Sequence, residues 1–444
     1  MSKILRTIEL FGGIGAQTKA LDRQAVPFQR HRLVEFDKYC VTSYNAIYGT
    51  DFEPSDITKI SAYDLGITDT NKYEYLMTYS FPCQDLSVAG KQAGMSREGN
   101  TRSGLLWEVE RILLEQKYMS PILYGEEQLP QTLIMENVAA LLHKKNKPLF
   151  DEWCLFLEGI GYTNSFQKIN ARYHGVAQNR DRVFMVSQLE GAPYTFPESE
   201  TLTKCLDDYL EDEVDEKYYL SDKIVKYFTR HSKDMEDKGN GFRFSPGKGM
   251  GIAKAITTRA GGRMDDNFIY QRPHGDNNLL LKAGDLVIKG RLESACRVYD
   301  PAGIAPACNT CSGGGHDTKI IEPKVIGALR GRNVENPSGR RKGIETEQRL
   351  EINKTGTSNC LTSVLKDNLV LDGLRIRKLT SLECWRLMDF DDEDFYKAKQ
   401  ALNDTYYNGK DRSNSQLYKQ AGNSIVVNVL SKIYKNLEVL KEDQ

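Results

Sequence analysis

Cysteine is scarce in this chain: nine among 444 residues, an odd number at no regular spacing. That argues against a disulfide framework and implies reduced thiols, as in cytoplasm. Long apolar runs are missing too. No stretch of about 18 apolar residues occurs, so no membrane-spanning helix is expected. The opening MSKILRTIELFGGIG lacks a basic region followed by an apolar run and a cleavage site, so a cytoplasmic location is expected, with no membrane partner. Net charge is also slight, −1 from 60 Lys and Arg against 61 Asp and Glu. A neutral total argues against a uniformly basic polyanion binder, but the total conceals an asymmetry. Between positions 239 and 378 about 23 basic residues face about 14 acidic ones, whereas 205–237 is acidic. One region can therefore carry a polyanion-binding face while the molecule stays neutral; a solvated basic surface with no partner is the plainer alternative.

What is present is organised. Across 1–190, short apolar strands alternate with amphipathic helical patterns. Strands are expected at Ile4–Leu10, 31–36, 75–80, 132–135 and 182–186. Helices are expected at Ala16–Asp22, 105–114 and 150–157. Such alternation predicts an α/β fold with a doubly wound, mostly parallel sheet that binds ligands at the carboxyl ends of its strands. From 191 to 374 the texture turns to glycine, asparagine and arginine with short β-like runs, as in a smaller β- and loop-rich domain. Segments AITTRAGG (255–262), ACNTCSGG (307–314) and CLTSV (360–364) suggest a degenerate repeat. Helical patterns return at 379–388 and 424–440, separated by a polar stretch, 389–415, that reads as a loop or insertion.

Several strand ends carry chemistry. LFGGIG (10–15) is a glycine turn that lets a ligand approach backbone, and Glu35 at the end of the second strand can hold ribose hydroxyls. The G-x-G-x-x-G spacing of dinucleotide sites is absent, so these residues suit an adenosine-containing cofactor without naming it. Cys83 follows a strand end and precedes a segment with glycines at 90, 94, 99 and 104, suited to a lid; an isolated cysteine is more often a packed small hydrophobe. Glu136, in MENV, ends another strand and would face the same crevice. QNRDR (178–182) places Arg180 and Arg182 two residues apart, hence on one face, suited to a carboxylate, phosphate or base edge.

Together these segments resemble the DNA (cytosine-5)-methyltransferase family in its bacterial and phage form. LFGGIG is similar to the family's cofactor motif, FPCQ to its Pro-Cys motif, MENV to its Glu-Asn-Val motif and QNRDR to its Gln-x-Arg-x-Arg motif. RKLTSLECWRLMDF and QLYKQAGNSIVVNVL resemble its last two motifs, all in the family's order. The resemblance implies a Rossmann-like catalytic domain over 1–190, completed by 375–444, with 191–374 as the target-recognition domain. It further implies that Phe11, Gly13, Ile14, Gly15, Glu35, Phe36, Asp56, Ile57, Pro82, Asn423 and Ser424 bind S-adenosylmethionine, which leaves as S-adenosylhomocysteine. Cys83 would be the nucleophile toward cytosine C6, aided by Glu136 and Arg182 with Pro82, Asn137 and Arg180. Gln84, Ser87 and Gln178 would contact DNA. The implied partners are double-stranded DNA and a cognate restriction endonuclease, the latter absent for a solitary phage enzyme, and the enzyme would act as a monomer. Asp389 departs from the family, which has glycine at that turn. VYDPAGIAPACNTCSGGG resembles glycine-rich recognition segments of phage-type members.

Three other readings compete. Cys308, Cys311 and His316 have zinc-like spacing, but no second cysteine pair follows, so no metal is expected. An RNA methyltransferase of the same fold would not need so long a basic region, and a silent DNA-binding regulator would not need Cys83, Glu136 and Arg182 together. A nicotinamide oxidoreductase fits only the beginning of the chain.

Overall fold

A computed structural model describes residues 3–82, 102–204, 206–218 and 375–440, together with 253–254, 256, 268–271, 282–285, 297–299, 327–333 and 346–352. Strand β1 (Ile4–Leu10) leads through the glycine turn into helix α1 (Ala16–Asp22), and β2 (Phe28–Val34) into α2 (Lys38–Tyr48). Then come α3 (Ala62–Leu65), β3 (Tyr73–Tyr79), α4 (Leu106–Tyr124), β4 (Thr132–Val138), α5 (Lys147–Gly159), β5 (Tyr162–Asn170), the short β6 (Gln178–Asn179) and β7 (Asp181–Leu189). Local chemistry sets several boundaries. Asp37 caps α2 by accepting from the Tyr39 N–H at 3.0 Å, and Gly49 ends it in the left-handed region.

Six strands form one sheet in the order β2-β1-β3-β4-β7-β5. β1, β2, β3 and β4 run parallel, and β7 alone is antiparallel to both its neighbours. The order reverses on either side of β1, which places the switch point, where such sheets bind ligands, at the end of β1. Both faces are covered, and the central strands β3 and β4 are buried along most of their length. Ile8, Leu10, Met77 and Met135 face α4 and α5, packing with Ile112, Phe150 and Trp153. Leu5, Leu76, Ile134 and Phe184 face the other way, toward a layer that includes the end of the chain.

That layer holds α6 (Ser381–Arg386), α7 (Asp392–Tyr407), α8 (Asn414–Asn423) and α9 (Val427–Lys435). Val427, Leu430, Ile433 and Tyr434 of α9 are buried, an i, i+3, i+6, i+7 stripe against α1. Helix α7 corrects the expectation of a loop over 389–415. Its buried residues are few and interleaved with charge, Asp394, Phe395, Ala398 and Leu402, so the apolar period is faint. Reciprocal hydrogen bonding between Asp391 and Asp394 starts it, and Asn408, at φ +52°, ends it. Strand β5 was likewise not expected; its middle, Asn164 to Lys168, is only partly buried, as suits the edge of a sheet.

Within 191–374 the described residues include short ladders. Strand β8 (Ala253–Lys254) pairs with β6, and β9 (Phe268–Gln271) pairs with β14 (Arg375–Lys378). β10 (Lys282–Asp285) pairs with β11 (Arg297–Tyr299), and β12 (Gly327–Asn333) with β13 (Thr346–Ile352). The repeat-like segments, Ile256 apart, and the Cys308, Cys311 and His316 set lie outside the described residues. Among the described residues, no helix is long and apolar enough to cross a membrane.

Candidate active site

The glycine turn is built to be approached from one side. Phe11 and Gly13 sit at φ +56° and +58°, and Gly15 at +79°. A methyl group on Gly15 would lie 2.5 Å from the Tyr48 ring and 2.6 Å from that of Tyr44, so this glycine is required by packing. A methyl on Gly13 would meet nothing within 4 Å among the described residues. Below the turn, the Tyr48 hydroxyl donates to the Gly15 carbonyl at 2.6 Å. Ile14 is buried, so only its backbone faces a ligand.

Glu35 follows β2 and grips the same turn. Its Oε2 accepts from Gly13 N–H at 3.0 Å and its Oε1 from Asp37 N–H at 2.7 Å. Burial pushes its carboxyl up, against the pull of those backbone donors. Each carboxylate oxygen keeps a further lone pair, so two hydroxyls can still be accepted. Phe36 beside it is 75% exposed, an aromatic face offered to solvent. Ser55 N–H donates to the Glu35 carbonyl at 2.8 Å, which brings the next residue, Asp56, to the same rim. Asp56 caps a short turn by accepting from Thr58, and the buried Ile57 contributes backbone only.

Glu136 and Arg182 meet at the end of β4. Val138 and Arg182 are register partners on antiparallel strands, so Glu136 lies diagonally across on the same face as Arg182. Arg182 Nε stands 2.9 Å from Glu136 Oε1. Glu136 is 8% exposed, and burial raises its carboxyl above the usual range despite the opposing charges of Arg182 and Arg180. A carboxyl so placed holds a proton more readily than an exposed one. Asn137 donates through Nδ2 to the Phe81 carbonyl at 3.0 Å, tying the end of β4 to the segment that leads through Pro82 to position 83. Cys83, Gln84 and Ser87 lie outside the described residues.

Two expected roles change. Gln178, expected at DNA, is 0% exposed. Its Nε2 donates to the Leu387 carbonyl at 2.7 Å and its Oε1 accepts from Ile256 N–H at 3.0 Å, so the amide is spent inside the protein. Arg180, expected beside the catalytic residues, is buried and donates to the carbonyls of Ile256 (3.0 Å), Gly422 (3.2 Å) and Ser424 (2.6 Å). It thereby presents Asn423, which is exposed, and fixes Ser424, which is buried. Its charge still reaches Glu136.

Sequence reasoning missed Glu9. It is 1% exposed on β1, accepting from Thr18 Oγ1 and, at 2.9 Å, from the Tyr44 hydroxyl. Burial pushes its carboxyl up to about 7. The signal was available as an acid within an apolar strand, two residues before a glycine turn.

The glycine turn at the switch point of this sheet, the acid after β2 and the Glu–Arg pair at the far strand ends gather the candidate site residues along the carboxyl edge of a Rossmann-like fold. Solved structures share the fold: the S. pombe Dnmt2 methyltransferase (TM-score 0.55, 16% identity, 97% of each chain) and a Spodoptera frugiperda DNMT2 mutant (0.56, 15%, 98% of this chain and 99% of that one). Residues 5–439 match the family described as C-5 cytosine-specific DNA methylase, and the chain belongs to that family. The orphan methyltransferase M.SPBetaI of Bacillus phage SPbeta is 29% identical over 98% of both chains. The orphan methyltransferase M.SssI of Spiroplasma monobiae is 34% identical over 51% of this chain and 69% of its own, and the type II methyltransferase M2.ScrFI of Lactococcus lactis subsp. cremoris is 39% identical over 43% and 46%.

Proposed function

We propose that this protein methylates C5 of cytosine within a specific duplex DNA sequence, using S-adenosylmethionine. The observation that carries the reading is the buried Glu136–Arg182 pair, linked through Asn137 to the segment ending at Pro82, in a chain of the cytosine-5 family. Cytosine C5 is a weak nucleophile, so the ring is activated first. The Cys83 thiolate adds at C6 while Glu136 places a proton on N3, which makes C5 enamine-like. The cofactor supplies the electrophilic methyl group. C5 then loses its proton to a base, Cys83 is expelled as thiolate, and N3 returns its proton to Glu136, restoring the ring and both side chains. Arg182 holds Glu136 in place and faces the cytosine O2 or its phosphate.

The open side of Gly13, the lone pairs of Glu35 and the exposed Phe36 ring suit the backbone, ribose and adenine of the cofactor, with Phe11, Gly15, Asp56, Pro82, Asn423 and Ser424 around them. The target base must leave the stack at a cost of a few kcal/mol, and 84–104 would close over it with Gln84 and Ser87 toward DNA. Residues 191–374 read the sequence, with their basic excess on phosphates. Modification paired with a nuclease, or solitary methylation, suits the names of the relatives. Bisulfite sequencing of a host expressing the chain tests this. Methylated cytosines in one sequence context, lost in Cys83→Ser, are expected; unmethylated DNA with methylated transfer RNA would overturn it.

A further inference from the structure

Beneath the cofactor turn lies a buried polar cluster that methyl transfer itself does not need. Glu9 Oε1 is satisfied by Thr18 and Tyr44, but Oε2 is buried with no hydrogen-bond partner among the described residues. That atom lies 3.4 Å from where a methyl on Gly12 would stand, against the underside of the turn. Thr78 Oγ1, the Tyr434 hydroxyl and Arg30 Nε are among the other buried atoms with no partner among the described residues. Thr78 is the register partner of Glu9 on β3, so the two side chains leave the same face about 4.8 Å apart. Tyr434, from α9, feels the Glu9 charge.

A neutral Glu9 leaves no charge on the partnerless Oε2, so the cluster is consistent with a protonated acid. An ionised Glu9 leaves a charged, buried oxygen that no described group donates to. The groups facing it are nearly balanced: Arg30 of β2 favours ionisation, Asp22 of α1 opposes it and itself binds Arg30 at 2.6 Å, and Tyr44, Tyr48 and Tyr434 remain neutral. A cation arriving over the turn tips that balance.

We propose that Glu9 reads the charge of the ligand on the glycine turn, releasing a proton to solvent when a sulfonium arrives and keeping it when a thioether does. The inference rests on the cofactor reading above. S-adenosylmethionine and S-adenosylhomocysteine share adenosine and amino-acid parts and differ by one methyl and one positive charge, so the difference between them isolates the sulfonium. Glu9 is a positioning residue that favours substrate over product, touching neither.

Calorimetric titration of each ligand into the whole protein, in buffers of different ionisation enthalpy near pH 6.5, counts the protons. The methionine form should release about half a proton per molecule more than the homocysteine form. Its affinity should rise with pH up to about 7 and then level off, while that of the homocysteine form stays flat. In Glu9→Gln the difference in release should vanish, and the preference for the methionine form should shrink several-fold. Equal release by the two ligands in the wild type overturns the proposal without any variant. Release that persists in Glu9→Gln overturns it too and points to Glu35. If neither ligand binds, the cofactor reading itself fails.

Discussion

Two carboxyl groups on one face of the sheet are buried for different ends. Glu136 is raised by burial and checked by two arginines, which suits the proton-carrying role proposed for it. Glu136→Gln should lower turnover by about 10²–10⁴-fold while leaving S-adenosylmethionine affinity within a few-fold, measured by single-turnover methylation and calorimetry. Comparable losses in both would mean that Glu136 serves cofactor binding. Glu9 answers to pH in the fold itself. Its pKa of about 7 exceeds the unfolded value of 4.5, so the folded state binds an extra proton between those values, and stability drains away as pH rises from 4.5 through 7. The shift corresponds to about 3 kcal/mol. Urea denaturation at pH 5 and pH 8 should therefore show a larger loss for wild type than for Glu9→Gln; equal losses would show that Glu9 is already ionised. At Gly13 and Gly15 the same substitution should act differently. Gly13→Ala should cost about 1 kcal/mol and weaken cofactor binding, whereas Gly15→Ala, driven into two tyrosine rings, should cost more than 2 kcal/mol in thermal or urea denaturation.

At the scale of elements, the turn after α6 holds an unusual bargain. Asp389 takes φ +66° where its relatives in the resemblance have glycine, and Arg23, at the end of α1, binds both its carboxylate and, at 2.7 Å, its carbonyl. The ion pair fastens α1 to the C-terminal layer, and the backbone strain accompanies it. Asp389→Gly should lose only the pair; Asp389→Ala should lose the pair and keep the strain, making it about 1 kcal/mol less stable than the glycine variant in urea denaturation. Equal stability of the two would place the conformation outside the left-handed region. Elements of this kind divide what the sequence discloses. β1 and α1 were legible to the residue, because a short apolar run and a glycine turn are local signals. β7 was legible as an apolar run but not as antiparallel, because orientation depends on its partners. Helix α7 was hidden by charge. The candidate site divides the same way: the placement of Glu136 and Arg182 at strand ends was readable, whereas the burial of Gln178 and Arg180 depends on residues about 76 to 244 positions away and on no local pattern.

The whole molecule closes one core from both ends of the chain. Leu5, Ala20, Leu76 and Phe184 share it with Trp385, Leu417, Leu430 and Ile433. Polar ties repeat the pattern: Lys419 meets Asp37 at 2.6 Å, and Gln420 donates to the Tyr39 carbonyl at 3.0 Å. A chain truncated after 374 should therefore expose an apolar sheet face and aggregate, and adding 375–444 as a separate polypeptide should restore solubility, as sedimentation would record. A soluble, cooperatively unfolding truncated chain would refute this. Because residues 191–374 lie between the two contributors, time enters the picture. At about 5–20 residues per second, a ribosome that has finished β7 needs on the order of 10–50 s to deliver α9. Throughout that interval the nascent sheet waits with one face bare, so the length of 191–374 also sets how long the newborn protein depends on chaperones.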